Sequence, residues 1–153
     1  MYNSKKSDLK DILCGVPQGS ILGPLLFILY INDITKTSKL LEFILFADDT
    51  TILYSDPDLK NKVDLINKEL EEVNNWFKAN KLSVNASKTN CMVLGTPHKT
   101  SKTNDVNIIL DGVTLERVNT TKFLGVIIDD NLTWKHHIDG LTKTICRNCG
   151  VLK

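Results

Sequence analysis

The chain has 153 residues, 42% of them hydrophobic and 24% charged, with 19 Lys plus Arg against 18 Asp plus Glu and a net charge of +1. That is the make-up of a globular domain or of part of one, and it excludes disorder and fibrous repeats. It also excludes a uniformly basic coat for nucleic acid, so a phosphate-binding surface must come from local asymmetry.

The chain opens with a polar segment, residues 1–11, in which no secretory signal is visible. Gly15-Val-Pro-Gln-Gly-Ser20 comes next, with two glycines and a proline in six residues, so a shaped loop is expected. Ser20 can cap a helix over 21–33, and Pro24 falls early in it, where a missing N–H costs little. That helix is apolar nearly all round and is expected to be buried. Its apolar stretch, 21–31, is far short of the ~20 residues that a membrane-spanning helix needs, and no membrane association is expected.

Residues 43–47 and 50–54 read as two strands of a hairpin with Asp48-Asp49 at its tip. Asp56-Pro57 then caps a helix. Leu59, Val63, Ile66, Leu70, Val73 and Phe77 recur at helical spacing, the strongest periodic signal in the chain. Residues 89–95 read as a strand and 96–105 as a polar loop. A hairpin over 106–118 turns at Asp111-Gly112, a preferred turn pair. Residues 123–128 read as a further strand, and Ile138, Leu141 and Ile145 mark a last helix from 134. The order predicts an α+β fold, an antiparallel sheet with helices packed on one face.

Charge is spread unevenly over these elements. None falls between 12 and 32, and no acid falls between 73 and 104, where Lys78, Lys81, Lys88, Lys99 and Lys102 lie beside His98. Such a block can face phosphates or simply form a solvated basic surface. Cys14, Cys91, Cys146 and Cys149 read as reduced intracellular thiols, since nothing points to secretion. Cys146 and Cys149 have the spacing of half a zinc site, and His136-His137 lie nearby, but no second cysteine pair exists to complete four ligands. Trp76 and Trp134 sit beside apolar segments and are expected in the core.

Adjacent carboxylates at a hairpin tip repel one another, and a divalent cation relieves this by taking oxygens from both. Asp-Asp is also ordinary turn composition, and Asp129-Asp130 ends an apolar strand in the same way. Spacing alone does not choose between the two pairs.

The segments CGVPQGSILGPLLFILYINDI at 14–34 and FADDT at 46–50 resemble the palm of a reverse transcriptase. More narrowly they are similar to the non-LTR, jockey-type retrotransposon enzymes. Trp76-Phe-Lys-Ala-Asn-Lys-Leu-Ser-Val-Asn85 with Lys88-Thr89, and Lys122-Phe-Leu-Gly125, resemble two later motifs of that family. The likeness runs over about 12–150. It implies a polymerase palm-like sheet over 12–133, incomplete at its N-terminus, and the start of a thumb helix over 134–153.

The resemblance also implies roles. Asp48 and Asp49 would be catalytic carboxylates holding Mg²⁺, with Mn²⁺ as the alternative ion. Gly15, Pro17, Gln18 and Gly19 would shape the loop against the incoming nucleotide and the templating base. Lys88 would lie near the nucleotide's phosphates and protonate the departing pyrophosphate. Phe123, Leu124 and Gly125 would support the primer end, and Asp129-Asp130 becomes an ordinary turn. The partners implied are an RNA template, a DNA primer, deoxynucleoside triphosphates, and the fingers and thumb of a parent polyprotein. The location implied is intracellular, and nuclear for an active element.

The family carries one more metal-binding aspartate, on a strand upstream of the glycine loop. Only 14 residues precede Gly15, and Asp8 and Asp11 lie in KKSDLKDIL, which is no apolar strand. The expectation is a chain that does not polymerise alone and dissolves poorly. A non-catalytic relic of a retroelement, or a module that only binds nucleic acid, is the alternative.

Overall fold

The structure, a computed structural model, describes residues 19–96, 100, 103 and 106–151. Helix α2, Val63–Ala79, organises the core. Its stripe buries Ile66, Leu70 and Val73, and Phe77 packs beside them. A 3-10 turn, Leu59–Lys62, precedes it. Asp56 therefore does not cap α2: its carboxylate accepts the Asp58 N–H at 2.8 Å and shapes the turn before the helix. The helix ends where Lys81 takes φ +54°. The Leu82 N–H then reaches the Phe77 carbonyl at 2.9 Å, and the Lys81 N–H reaches that of Lys78 at 3.0 Å. This pair of bonds satisfies the last carbonyls of the helix, with lysine in the position that glycine usually takes.

Strands β1 (Glu42–Phe46) and β2 (Asp49–Leu53) form an antiparallel hairpin with Phe43 opposite Ile52 and Phe46 opposite Asp49. Alternation puts Phe43 and Leu45 on the core and turns Ile44 and Phe46 outward. Strand β3 (Asn90–Cys91) pairs in parallel with β6 (Glu116–Arg117). Strands β4 (Ile109–Leu110) and β5 (Val113–Thr114) form the expected hairpin. Its turn residues, Asp111 at φ +52° and Gly112 at φ +73°, both take the left-handed region that a tight hairpin turn demands.

The run expected as one strand over 123–128 is instead the centre of a hairpin. Strand β7 (Thr120–Phe123) turns through Leu124 and Gly125, at φ +45° and +90°, into β8 (Val126–Asp129). The expected single antiparallel sheet is not present among the described residues. The strands pair as four two-stranded ladders, one of them parallel. Three of the ladders are runs folded back on their own neighbours, and β3–β6 is the long-range pair, which leaves short strands and separate ladders. The α+β class holds.

Helix α1, Leu22–Ile31, departs from expectation in two ways. Ser20 does not cap it; Ile21 occupies that position without a side-chain bond. Nor is it buried. Ile31 and the following Ile34 enter the core, but Leu22, Leu25, Ile28 and Leu29 are each more than half exposed. A helix that is apolar all round has no preferred face, and the core holds its end and, in part, Phe27. A 3-10 turn, Asn32–Lys36, comes next, and the Tyr30 hydroxyl donates to the Asn80 carbonyl at the end of α2.

Helix α3, Lys135–Val151, closes the described chain. Ile138, Leu141 and Ile145 lie exposed along it. Trp134 is 61% exposed and is not in the core, whereas Trp76 packs against it and edge-on to Phe77. Cys91, Cys146 and Cys149 are free thiols. Among the described residues no helix is long and apolar enough to cross a membrane.

Candidate active site

The β1–β2 connection is a two-residue turn, Ala47-Asp48, one position earlier than the sequence suggests. Asp49 is the first residue of β2. Ala47 sits at φ +51°, a conformation that costs a residue with a Cβ roughly 1–2 kcal/mol. The five-pair ladder below holds it there. Because Asp48 lies in the turn, strand alternation does not force the two carboxylates to opposite faces. Both side chains are exposed. Among the described residues neither takes part in an ion pair or a side-chain hydrogen bond.

Within the described residues these are two hard oxygen donors without protein partners. That donor set fits a small divalent cation, which binds through one or two carboxylates and completes its shell with water and substrate phosphates. It does not make a cage by itself: no group of three His, Cys, Asp or Glu that could hold a metal occurs among the described residues.

The other expected site residues occupy separate parts of the structure. Gly19 takes φ +85°, and a Cβ built on it meets nothing within 4 Å. Its need for glycine is therefore conformational. Gly15, Pro17 and Gln18 lie outside the described residues. Lys88 is exposed in a turn before β3, where its N–H donates to the Asn85 carbonyl at 3.0 Å. Phe123 is half-buried, and Leu124 and Gly125 form the tip of β7–β8. Among the described residues no hydrogen bond or ion pair joins the Asp48-Asp49 tip to Lys88 or to the β7–β8 tip.

The basic block is less free than its sequence implies. Lys78 pairs with Asp111 at 2.6 Å, and Asn74 donates to the same carboxylate at 3.0 Å. The Lys78 bond, then that of Asn74, holds the Asp111 carboxyl below its ordinary range. Both charged partners are exposed, so the pair contributes little to stability and serves chiefly to seat the β4–β5 turn on α2. Lys99, Lys102 and His98 lie outside the described residues.

The second aspartate pair resolves clearly. Asp129 is 5% exposed. Its carboxylate accepts the Thr133 N–H at 3.1 and 3.2 Å, the Thr133 hydroxyl at 2.9 Å and the Asn131 N–H at 3.1 Å. The oxygens are committed to a turn, as the resemblance implied. Those bonds, the Thr133 N–H foremost, hold the carboxyl below the ordinary 3.8. A depressed carboxyl contributes stability above the unfolded value and loses it as pH falls through the lower folded value. Urea midpoints taken at pH 6 and pH 3 are expected to fall less for Asp129→Asn than for the native chain. An equal fall would contradict this role.

Two polar clamps were not legible in the sequence. The Asn67 amide donates to the Asn107 carbonyl and accepts the Ile109 N–H, at 3.1 and 2.9 Å, fixing the edge of β4 to α2. Arg117 donates to the carbonyls of Thr100 and Thr103. A lone Asn on a helix and a lone Arg on a strand carry no such signal.

A family model for reverse transcriptase (RNA-dependent DNA polymerase) matches residues 1–128. The chain belongs to the reverse transcriptase family. Its relatives are retrotransposon enzymes. It is 28% identical over 141 residues to the probable RNA-directed DNA polymerase from transposon X-element of Drosophila melanogaster, covering 90% of this chain and 15% of that protein. It is 27% identical over 143 residues to the RNA-directed DNA polymerase from mobile element jockey of the same species, covering 89% and 15%. It is 32% identical over 139 residues to the probable RNA-directed DNA polymerase from transposon BS, covering 84% and 15%. This reverse transcriptase segment thus spans about 15% of the length of these relatives. The likeness to non-LTR, jockey-type elements read from the motifs therefore stands. No solved structure matches the chain.

Proposed function

We propose that this chain supplies the metal-binding hairpin, part of the nucleotide loop and the primer support of an RNA-directed DNA polymerase palm. In this reading 12–133 is palm and α3 begins the thumb. The observation that carries it is the pair of exposed carboxylates, Asp48 and Asp49, without partners among the described residues and held at a two-residue tip within a matched family segment.

Asp48 and Asp49 would hold Mg²⁺, which when bound supplies charge that stabilises the attacking and leaving oxygens of an in-line displacement. Backbone around Gly19 approaches the nucleotide without side-chain hindrance. Lys88, a compact positive charge, donates a proton to the departing pyrophosphate. Phe123, Leu124 and Gly125 place the primer 3′ end, with an RNA template opposite. Among the described residues only these two carboxylates stand at the tip, a donor set that holds ions weakly, and the 153 residues by themselves are expected not to extend a primer. The bare nucleic-acid-binding reading has less support, because Asp111 takes the charge of Lys78.

A graft tests this. The 143-residue matched segment of the jockey enzyme is replaced by the corresponding part of this chain. Primer extension on an RNA template with Mg²⁺ and deoxynucleoside triphosphates is the readout. Template-dependent synthesis is expected; a folded graft that synthesises nothing overturns the proposal.

A further inference from the structure

The contact between α3 and the β7–β8 hairpin is built from an unusual pair of parts. In the β7–β8 register Phe123 faces Val126 next to a two-residue turn, so those two exchange hydrogen bonds. The next pair, Lys122 and Ile127, is then a non-bonded pair, and the Ile127 N–H points away from β7. The Asp130 N–H bond to the Asn119 carbonyl, at 2.9 Å, fits this alternation. On the open edge of β8 the Ile127 N–H is met by a side chain. His137 Nδ1 of α3 accepts it at 3.3 Å. An imidazole accepts at Nδ1 only with its proton on Nε2.

Two further features lie at the same junction. Gly140, one turn along α3, faces β8: a Cβ there would sit 3.4 Å from Ile127 Cδ1, an ordinary contact distance. The connection from β8 to α3 is a rigid corner. The Asp129 carboxylate ties Asn131 and Thr133, while Leu132 and Trp134 hold φ +55° and +43°. The Trp134 ring leans on His137 with centroids 6.1 Å apart.

We propose that His137 is a positioning residue. Its Nδ1, closing the open edge of β8, makes α3 and the Leu124-Gly125 tip one rigid body, so displacement of the helix carries the tip with it. The consequence for catalysis rests on the primer-support role proposed above; the clamp itself does not.

Hydrogen exchange by mass spectrometry on the full chain tests the clamp without any polymerase assay. The readout is the peptide covering Val126–Asp129, against the Glu42–Phe46 peptide as control. His137→Leu is expected to speed exchange at the first roughly two- to tenfold, the range of one net hydrogen bond, and to leave the second unchanged. His137→Asn, whose amide oxygen replaces Nδ1, is expected to keep the native rate. Equal protection in all forms, or loss in both variants, overturns the proposal. Should His137→Leu unfold the chain, His137→Ala takes its place. In the graft, His137→Leu raises the KM for primer–template several-fold and leaves the nucleotide KM within about twofold, and His137→Asn restores it. An inactive graft with intact exchange results removes the primer-support reading and leaves the clamp.

Discussion

Asp48→Asn is expected to lower primer extension by the grafted enzyme at least about a hundredfold, roughly 3 kcal/mol of transition-state stabilisation. The substitution keeps shape and removes one negative charge. Asp48 is exposed and has no hydrogen-bond or ion-pair partner among the described residues, so none of their contacts depends on that charge. Thermal unfolding of the variant is therefore expected to match the unsubstituted graft, which separates loss of chemistry from loss of structure. Asp49→Asn is expected to act in the same direction, with a smaller loss. Asp129→Asn and Asp130→Asn keep polymerisation above a tenth of the unsubstituted rate. A graft in which Asp48→Asn still polymerises within tenfold contradicts the assignment of the tip as the metal site.

Ile34→Ala is expected to destabilise the chain by about 2–5 kcal/mol, the range for truncating a fully buried Ile or Leu. Ile34 is completely enclosed, on the 3-10 turn that links α1 to β1, and packs in the same cluster as Ile66, Leu70 and Val73. Collapse around the gap is restricted, because the Thr37 N–H and hydroxyl both bond the Ile34 carbonyl, at 3.0 and 2.7 Å. A domain's whole stability is typically ~5–15 kcal/mol, so this single change removes a large share of it. Urea unfolding is the check, with a midpoint lowered by about 1 M or more. Leu29→Ala, on the exposed part of α1, is expected to cost less than about 0.5 kcal/mol. Equal effects at the two positions would contradict a core centred on Ile34 and the α2 stripe.

The elements that announce themselves are those whose residues have one physical reason to be there. The α2 stripe places Ile66, Leu70 and Val73 on one face, and that face is buried. Asp111-Gly112 marks a turn because both positions need the left-handed region. Leu124-Gly125 makes the same kind of turn, but leucine is an unexpected residue at φ +45°, so 123–128 reads as one strand. Uniform apolarity hides the orientation of α1, since every face scores alike. The two aspartate pairs share their local pattern and differ in the residues on their C-terminal side. Asn131 and Thr133 return donors to Asp129, whereas Asp49 leads directly into β2. That downstream spacing is the signal that could have separated them without a family resemblance.

The exposure of α1 has a cellular corollary. Between 21 and 31 the chain offers water an uncharged apolar helix. Surfaces of that kind engage chaperones and lead to proteolysis when nothing covers them. The steady-state amount of this polypeptide in a cell is then a reporter of whether α1 has found a neighbour. Charged substitutions at Leu25 and Leu29 would uncouple that abundance from assembly.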